Sequence, residues 1–209
     1  QEGERMLAVA VYPADLLPPS DKRAGSALPA LRSNFEEGIA SRSGQWLDAD
    51  LSFDLAHAAL QGGASQLTMQ DFYALLVHTT ATHLLIDDKF YAWGNRQSQE
   101  KTGEFQGADG KFITLLRDMF VRAEGSDLYL FEAASPAWLL NANRLVVRNV
   151  VTAFGSHSVQ ATISAEKLIV DFQHNWRTPP KRLLFRVPAF AEVLTARVDG
   201  NVISTDKNY

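Results

Sequence analysis

Residues 78 to 96 hold the densest group of side chains able to do chemistry: His78, His83, Asp87, Asp88, Lys89, Tyr91, Trp93 and Arg96. Aromatic rings stack on the faces of sugars. Carboxylates hydrogen-bond sugar hydroxyls. A carboxylic acid whose pKa is raised by burial serves as a general acid, and an ionised one as base or nucleophile. Glycoside hydrolysis needs two such groups, one on each side of the scissile bond. Asp87 and Asp88 are adjacent, so in an extended chain they point to opposite sides and do not form one pair. Asp87 and Asp88 are the candidate catalytic residues, and His78, His83, Tyr91, Trp93 and Arg96 the candidate substrate contacts. The alternative is a solvated loop anchored by a buried tryptophan.

Other chemistries have less support. His78 and His83 lie five apart with no carboxylate at a matching helical spacing, so no metal site is expected. The chain has no cysteine, which removes disulfides, thiol nucleophiles and thiolate metal sites. It carries no phosphate-binding loop, no dinucleotide glycine fingerprint and no Gly-x-Ser-x-Gly, so no cofactor is expected. His57 reads as a hydrogen-bonded core histidine. Asp48, Asp50 and Asp54 read as charges in the first turn of a helix, where the dipole favours them. Arg177, Lys181 and Arg182 beside Trp176 form a basic patch too small for nucleic acid. The net charge of −4 also speaks against a nucleic-acid partner. Up to Glu124 there are 17 acidic and 11 basic residues, and from Gly125 onward 7 and 9. An acidic half can suit a site that works with carboxylates, but solvated helix faces are the favoured reading.

These residues need elements to position them. The 209 residues suffice for one large domain or two small ones. Met6 to Tyr12 is apolar without a helical period and reads as a short buried strand or extended segment. It is too short for a signal sequence. No apolar run has membrane-spanning length. Helices are predicted over 27–41, 49–61, 68–80 with Thr68 as N-cap, and from Phe112 to the stop at Gly125-Ser126. Gly62-Gly63 separates the second from the third. Strands are predicted near 127–134, 144–151, 158–164, 167–173, 182–187, 193–198 and 201–204. Asp199-Gly200 is a hairpin signal. Regularly spaced short strands suggest a sandwich or open barrel. The fold class is α+β in two parts, helical over 1–125 and antiparallel β over 126–209.

An ordered series of segments resembles the C-terminal part of bacterial six-hairpin glycosidases. It comprises Phe53-Asp54-Leu55-Ala56, Phe72 to Thr80, Trp93-Gly94-Asn95-Arg96, Leu115 to Gly125, Leu130 to Leu139, Leu145 to Asn149 and Thr152 to Gly155. The resemblance implies hairpins of an (α/α)6 barrel followed by a β-sandwich-like domain. It implies a glycoside hydrolase acting on a carbohydrate substrate, with the residue 78–96 loop at the barrel mouth and Asp87 near the family's acidic position. It also implies a periplasmic or secreted location. Four helices make only two hairpins, so the chain reads as the C-terminal part of a longer enzyme, not catalytically complete by itself. The alternative is a non-catalytic carbohydrate-binding or protein-interaction module.

The same reading predicts uncovered surface. Leu28, Leu31, Leu51, Leu55, Leu75 and Leu76 are not expected to share one small core. An exposed apolar face on the helical half is expected, or a partner that covers it: the missing barrel portion or another chain. No membrane partner is expected.

Overall fold

Asp21 opens one helix and Asp48 another, each by accepting a backbone hydrogen bond: Asp21 from Arg23 N–H, Asp48 from Leu51 N–H. A computed structural model describes residues 2–42, 46–79, 89–93, 106–142, 144–164, 167–186 and 193–203. The fold is a mixture of helices and small sheets, mostly antiparallel. The chain divides into two compact units, Gln1–Leu116 and Arg117–Tyr209. By sequence the first carries 15 acidic and 9 basic residues and the second 9 and 11.

The first unit holds α1 (Glu2–Val11), α2 (Lys22–Arg32), α3 (Ala49–Gln61), α4 (Ser65–Val77) and most of α5 (Gln106–Phe120). It also holds a sheet in the order β1 (Phe35–Glu36), β2 (Ile39–Arg42), β3 (Trp46–Asp48), β4 (Lys89–Phe90), antiparallel throughout. The helix over 49–61 is found as predicted. Met6 to Tyr12 is not a strand. Glu2 and Glu4 suit the start of a helix, and Ala8 and Val11, three apart, are buried on one face. The helix predicted over 27–41 runs from Lys22 to Arg32, and the chain then turns into a hairpin at Glu37-Gly38. Thr68 is not an N-cap. It lies one turn inside α4, where its hydroxyl donates to the Ala64 carbonyl at 3.2 Å.

The leucines expected on an uncovered face divide between buried and exposed positions. Leu31, Leu51, Leu55 and Leu75 are buried and Leu28 is half-buried, while Leu76 is exposed. The extra cover comes from segments the sequence reading assigned differently: Ala8 of α1, Ala40 of β2 and Phe35 of β1 pack on Leu31, Leu51 and Leu55. Tyr73, Leu76 and Val77 remain exposed on α4.

The second unit contains the last turn of α5, which ends four residues earlier than predicted. Val121 to Glu124 becomes β5, pairing with β6 (Asp127–Leu130) through a turn at Gly125-Ser126. β10 (Arg182–Phe185) pairs with β6 in parallel. β6 ends four residues before the end of the first predicted strand, and a short helix α6 (Pro136–Ala142), which was not predicted, follows with Pro136 at its first position. β7 (Arg144–Thr152), β8 (Gly155–Ser164) and β9 (Lys167–Trp176) form an antiparallel meander. An extra residue bulges from β7 between Val147 and Val150, and Asn149 there has φ 54°. β11 (Ala196–Val198) and β12 (Asn201–Ile203) form the hairpin predicted at Asp199-Gly200, both turn residues at positive φ. Leu128, Leu130, Phe131, Leu139, Val159 and Ala161 are among the residues that build the core.

Candidate functional site

His78, Tyr91 and Trp93 are the sequence-predicted contacts that lie among the described residues; Asp87, Asp88, His83 and Arg96 lie outside them. His78 follows the last turn of α4 and is buried. Its Nδ1 sits 2.7 Å from the Ala74 carbonyl oxygen. A carbonyl only accepts, so Nδ1 carries the hydrogen. Its Nε2 faces a Glu37 carboxylate oxygen at 3.2 Å. That contact is a hydrogen bond only if one proton lies on it, on the ring or on the carboxyl.

Trp93 stacks on the opposite side of this arrangement. Its ring lies 4.5 Å from that of His78, at 15° between planes. Its backbone N–H donates to both Glu37 oxygens at 3.0 Å. Glu37 therefore ties the ring below to the backbone of the ring above. Trp93 is 56% exposed, so one face of a large ring is open while the imidazole supports it. Phe90 packs at 5.3 Å from His78. A second stack stands beside β4: Trp46 and Tyr91, at 4.1 Å and 29°. The pairing of Leu47 with Phe90 explains it, because Trp46 and Tyr91 are then the next facing positions.

Two members of this site escaped the sequence reading. Glu37 is 41 residues from His78 and 56 from Trp93, beyond any local spacing rule. The signal for it was Gly38 between Phe35-Glu36 and Ile39-Ala40, the second position of a two-residue hairpin turn. Trp46 had no comparable signal.

Other buried polar groups have structural partners. His57 sits in the first core, its Nδ1 3.0 Å from the Phe53 carbonyl and its ring stacked on Tyr12 at 3.9 Å. Arg32 binds Asp71 through two contacts, the shorter at 2.6 Å. Arg122 lies between Glu124 and Glu132, with its guanidinium over the Tyr129 ring. Of the basic patch, Arg182 is engaged by Asp127 at 2.6 Å. His157, in the meander, has its pKa lowered by burial and by His174 directly across the strand pair. Asp54 contacts Lys111 at 3.0 Å, and burial pushes its pKa up to about 6. A groove of about 340 Å³ lies in the second unit between Val121–Ala123 of β5 and Val151–Ala153 at the end of β7. Among the described residues no group of three or more histidines and carboxylates is placed to hold a metal ion. No described helix is long and apolar enough to cross a membrane.

Against known proteins, no family model matches the chain, no curated protein matches it, and no solved structure matches it.

Proposed function

We propose that the chain is part of a carbohydrate-active protein and that Trp93 contacts the sugar. The observation that carries this reading is the open Trp93 ring, braced from beneath by His78 and from its backbone by Glu37. The apolar C–H face of a pyranose fits such a ring, and nearby polar groups orient its hydroxyls. Tyr91 and Trp46 stack on each other beside β4 and are the further aromatic candidates for sugar contact. On this reading the helix pairs α1–α2 and α3–α4 are hairpins of an α/α toroid, the strand-rich unit is a β-sandwich-like appendage, and further hairpins or another chain cover Tyr73, Leu76 and Val77. As part of a six-hairpin glycoside hydrolase, the protein takes its acid/base chemistry from Asp87, with Asp88 beside it, and His83 and Arg96 join the substrate contacts.

The test is direct. Cellotetraose, chitotetraose and tetragalacturonate are titrated in parallel by calorimetry. At least one should bind, and Trp93→Ala should weaken it by about tenfold or more, or roughly 1.4 kcal/mol. Binding unaffected by Trp93→Ala, or no binding of any of the three, removes the reading. In the longer enzyme that this reading requires, Asp87→Asn separates recognition from reaction: it should keep the binding and lose most hydrolysis of the same sugar. If Asp87→Asn leaves hydrolysis unchanged, Asp87 is not the acid or base.

A further inference from the structure

We infer that Glu37 is a positioning residue, held in a backbone conformation its residue type disfavours so that one carboxylate reaches both His78 and Trp93. Glu37 and Gly38 are the two central residues of the β1–β2 turn, with φ of 54° and 80°. Two positive φ values in a two-residue hairpin define the turn type that selects Asn, Asp or Gly. Gly38 meets that demand. Glu37 does not, because a Cβ crowds the following carbonyl in the left-handed region and a long side chain offers no local hydrogen bond in return. Such residues persist where surrounding contacts over-determine them, and they gather at ligand clamps.

The contacts are specific. A Cβ added at Gly38 would lie 2.8 Å from the Ala74 Cβ, so the turn tip is pressed against α4. Ala74 is also the residue whose carbonyl fixes His78 Nδ1. The turn is thereby set at a fixed height beside the imidazole, and the Glu37 carboxylate spans from Nε2 to the Trp93 N–H. Asp and Asn suit the turn, but they are one methylene shorter than this reach demands. Glutamate at this position therefore serves the platform rather than the turn.

Glu37→Asn and Glu37→Gln test this, with the sugar titrations above as a third arm that rests on the platform reading. Glu37→Asn relieves the turn but loses the reach; Glu37→Gln keeps the reach and the strain. The first should unfold at the wild-type temperature or up to about 3 °C above it. It should nonetheless shift the His78 Nε2 resonance in long-range proton–nitrogen spectra. It should also open Trp93 to acrylamide, read as the difference from Trp93→Phe. Glu37→Gln should leave Trp93 closer to wild type in the same quenching measurement. A fall of about 4 °C or more in Glu37→Asn would make Glu37 an ordinary stabilising contact. Unchanged His78 resonances and Trp93 quenching in that variant would remove the positioning role. Where wild type binds a sugar, Glu37→Asn should weaken it about tenfold. If wild type binds none while the spectra change as expected, the sugar reading fails and the positioning role stands.

Discussion

Asp54 shows how a charge can act against its own fold. Its carboxylate is buried on α3, where Lys111 contacts it at 3.0 Å and Asp50 shares the same ammonium. Loss of water raises its pKa to about 6; Lys111 pulls it down and Asp50 pushes it back up. For Lys111, burial lowers the pKa, but the two carboxylates outweigh it and the net shift is upward. The folded state therefore holds a proton on Asp54 at pH values where the unfolded chain, with an ordinary carboxylate, has released it. Stability from this group is present in acid and is lost as pH rises from about 4 through about 6, by roughly 3 kcal/mol in all. Asp54→Asn keeps the volume and removes the charge, while Lys111 keeps Asp50. The variant should be more stable than wild type at pH 8, and the loss between pH 4 and 6 should flatten. Urea unfolding across that range measures both, and an unaltered pH dependence would refute the assignment.

At the scale of elements, the meander depends on one glycine. Gly155 begins β8 with φ 129°, and a Cβ there would lie 2.1 Å from the Asn175 carbonyl oxygen and 2.9 Å from Arg177 N. Both are backbone atoms of the β9 end and cannot turn aside as a side chain would. Gly155→Ala should cost roughly 3 kcal/mol or more in urea unfolding. Gly110, inside α5 with open space around it, is the control: Gly110→Ala should stabilise by about 0.5–1 kcal/mol. Equal effects at the two positions would contradict this account.

Legibility followed the same logic. The α3 boundaries, the strands β7, β8 and β9 and the Asp199-Gly200 turn rest on local pattern and are legible in the sequence; the pairing of those strands into a meander is not. The α1 helix was misread because a seven-residue apolar run has no period that distinguishes helix from strand. The β1–β2 hairpin was hidden inside an apparently helical spacing of Leu28, Leu31, Phe35 and Ile39. In the candidate site, composition marked His78, Tyr91 and Trp93. Their mutual geometry depends on Glu37, brought in by the hairpin that the reading lacked.

At the scale of the molecule, the described residues present several strand margins. Its described strands fall into four small sheets, each with an outer strand on both sides: β1 and β4, β10 and β5, β7 and β9, β11 and β12. Unpaired rims of backbone N–H and C=O groups are templates for a second chain. The bulge in β7 bears on this directly. It cuts the outer rim of a nine-residue strand into Arg144–Val147 and Val150–Thr152. Each piece is shorter than the roughly five to six residues of a usual strand. Deleting Asn149 would remove the extra residue and leave the inward faces of both pieces as they are, giving one continuous rim. That variant should fold with the same meander yet sediment as larger species and bind thioflavin on standing. Sedimentation identical to wild type would count against the idea. A single left-handed asparagine would then be what keeps the β7 rim from serving as a template: each new chain arriving at β7 finds a ladder with a missing rung.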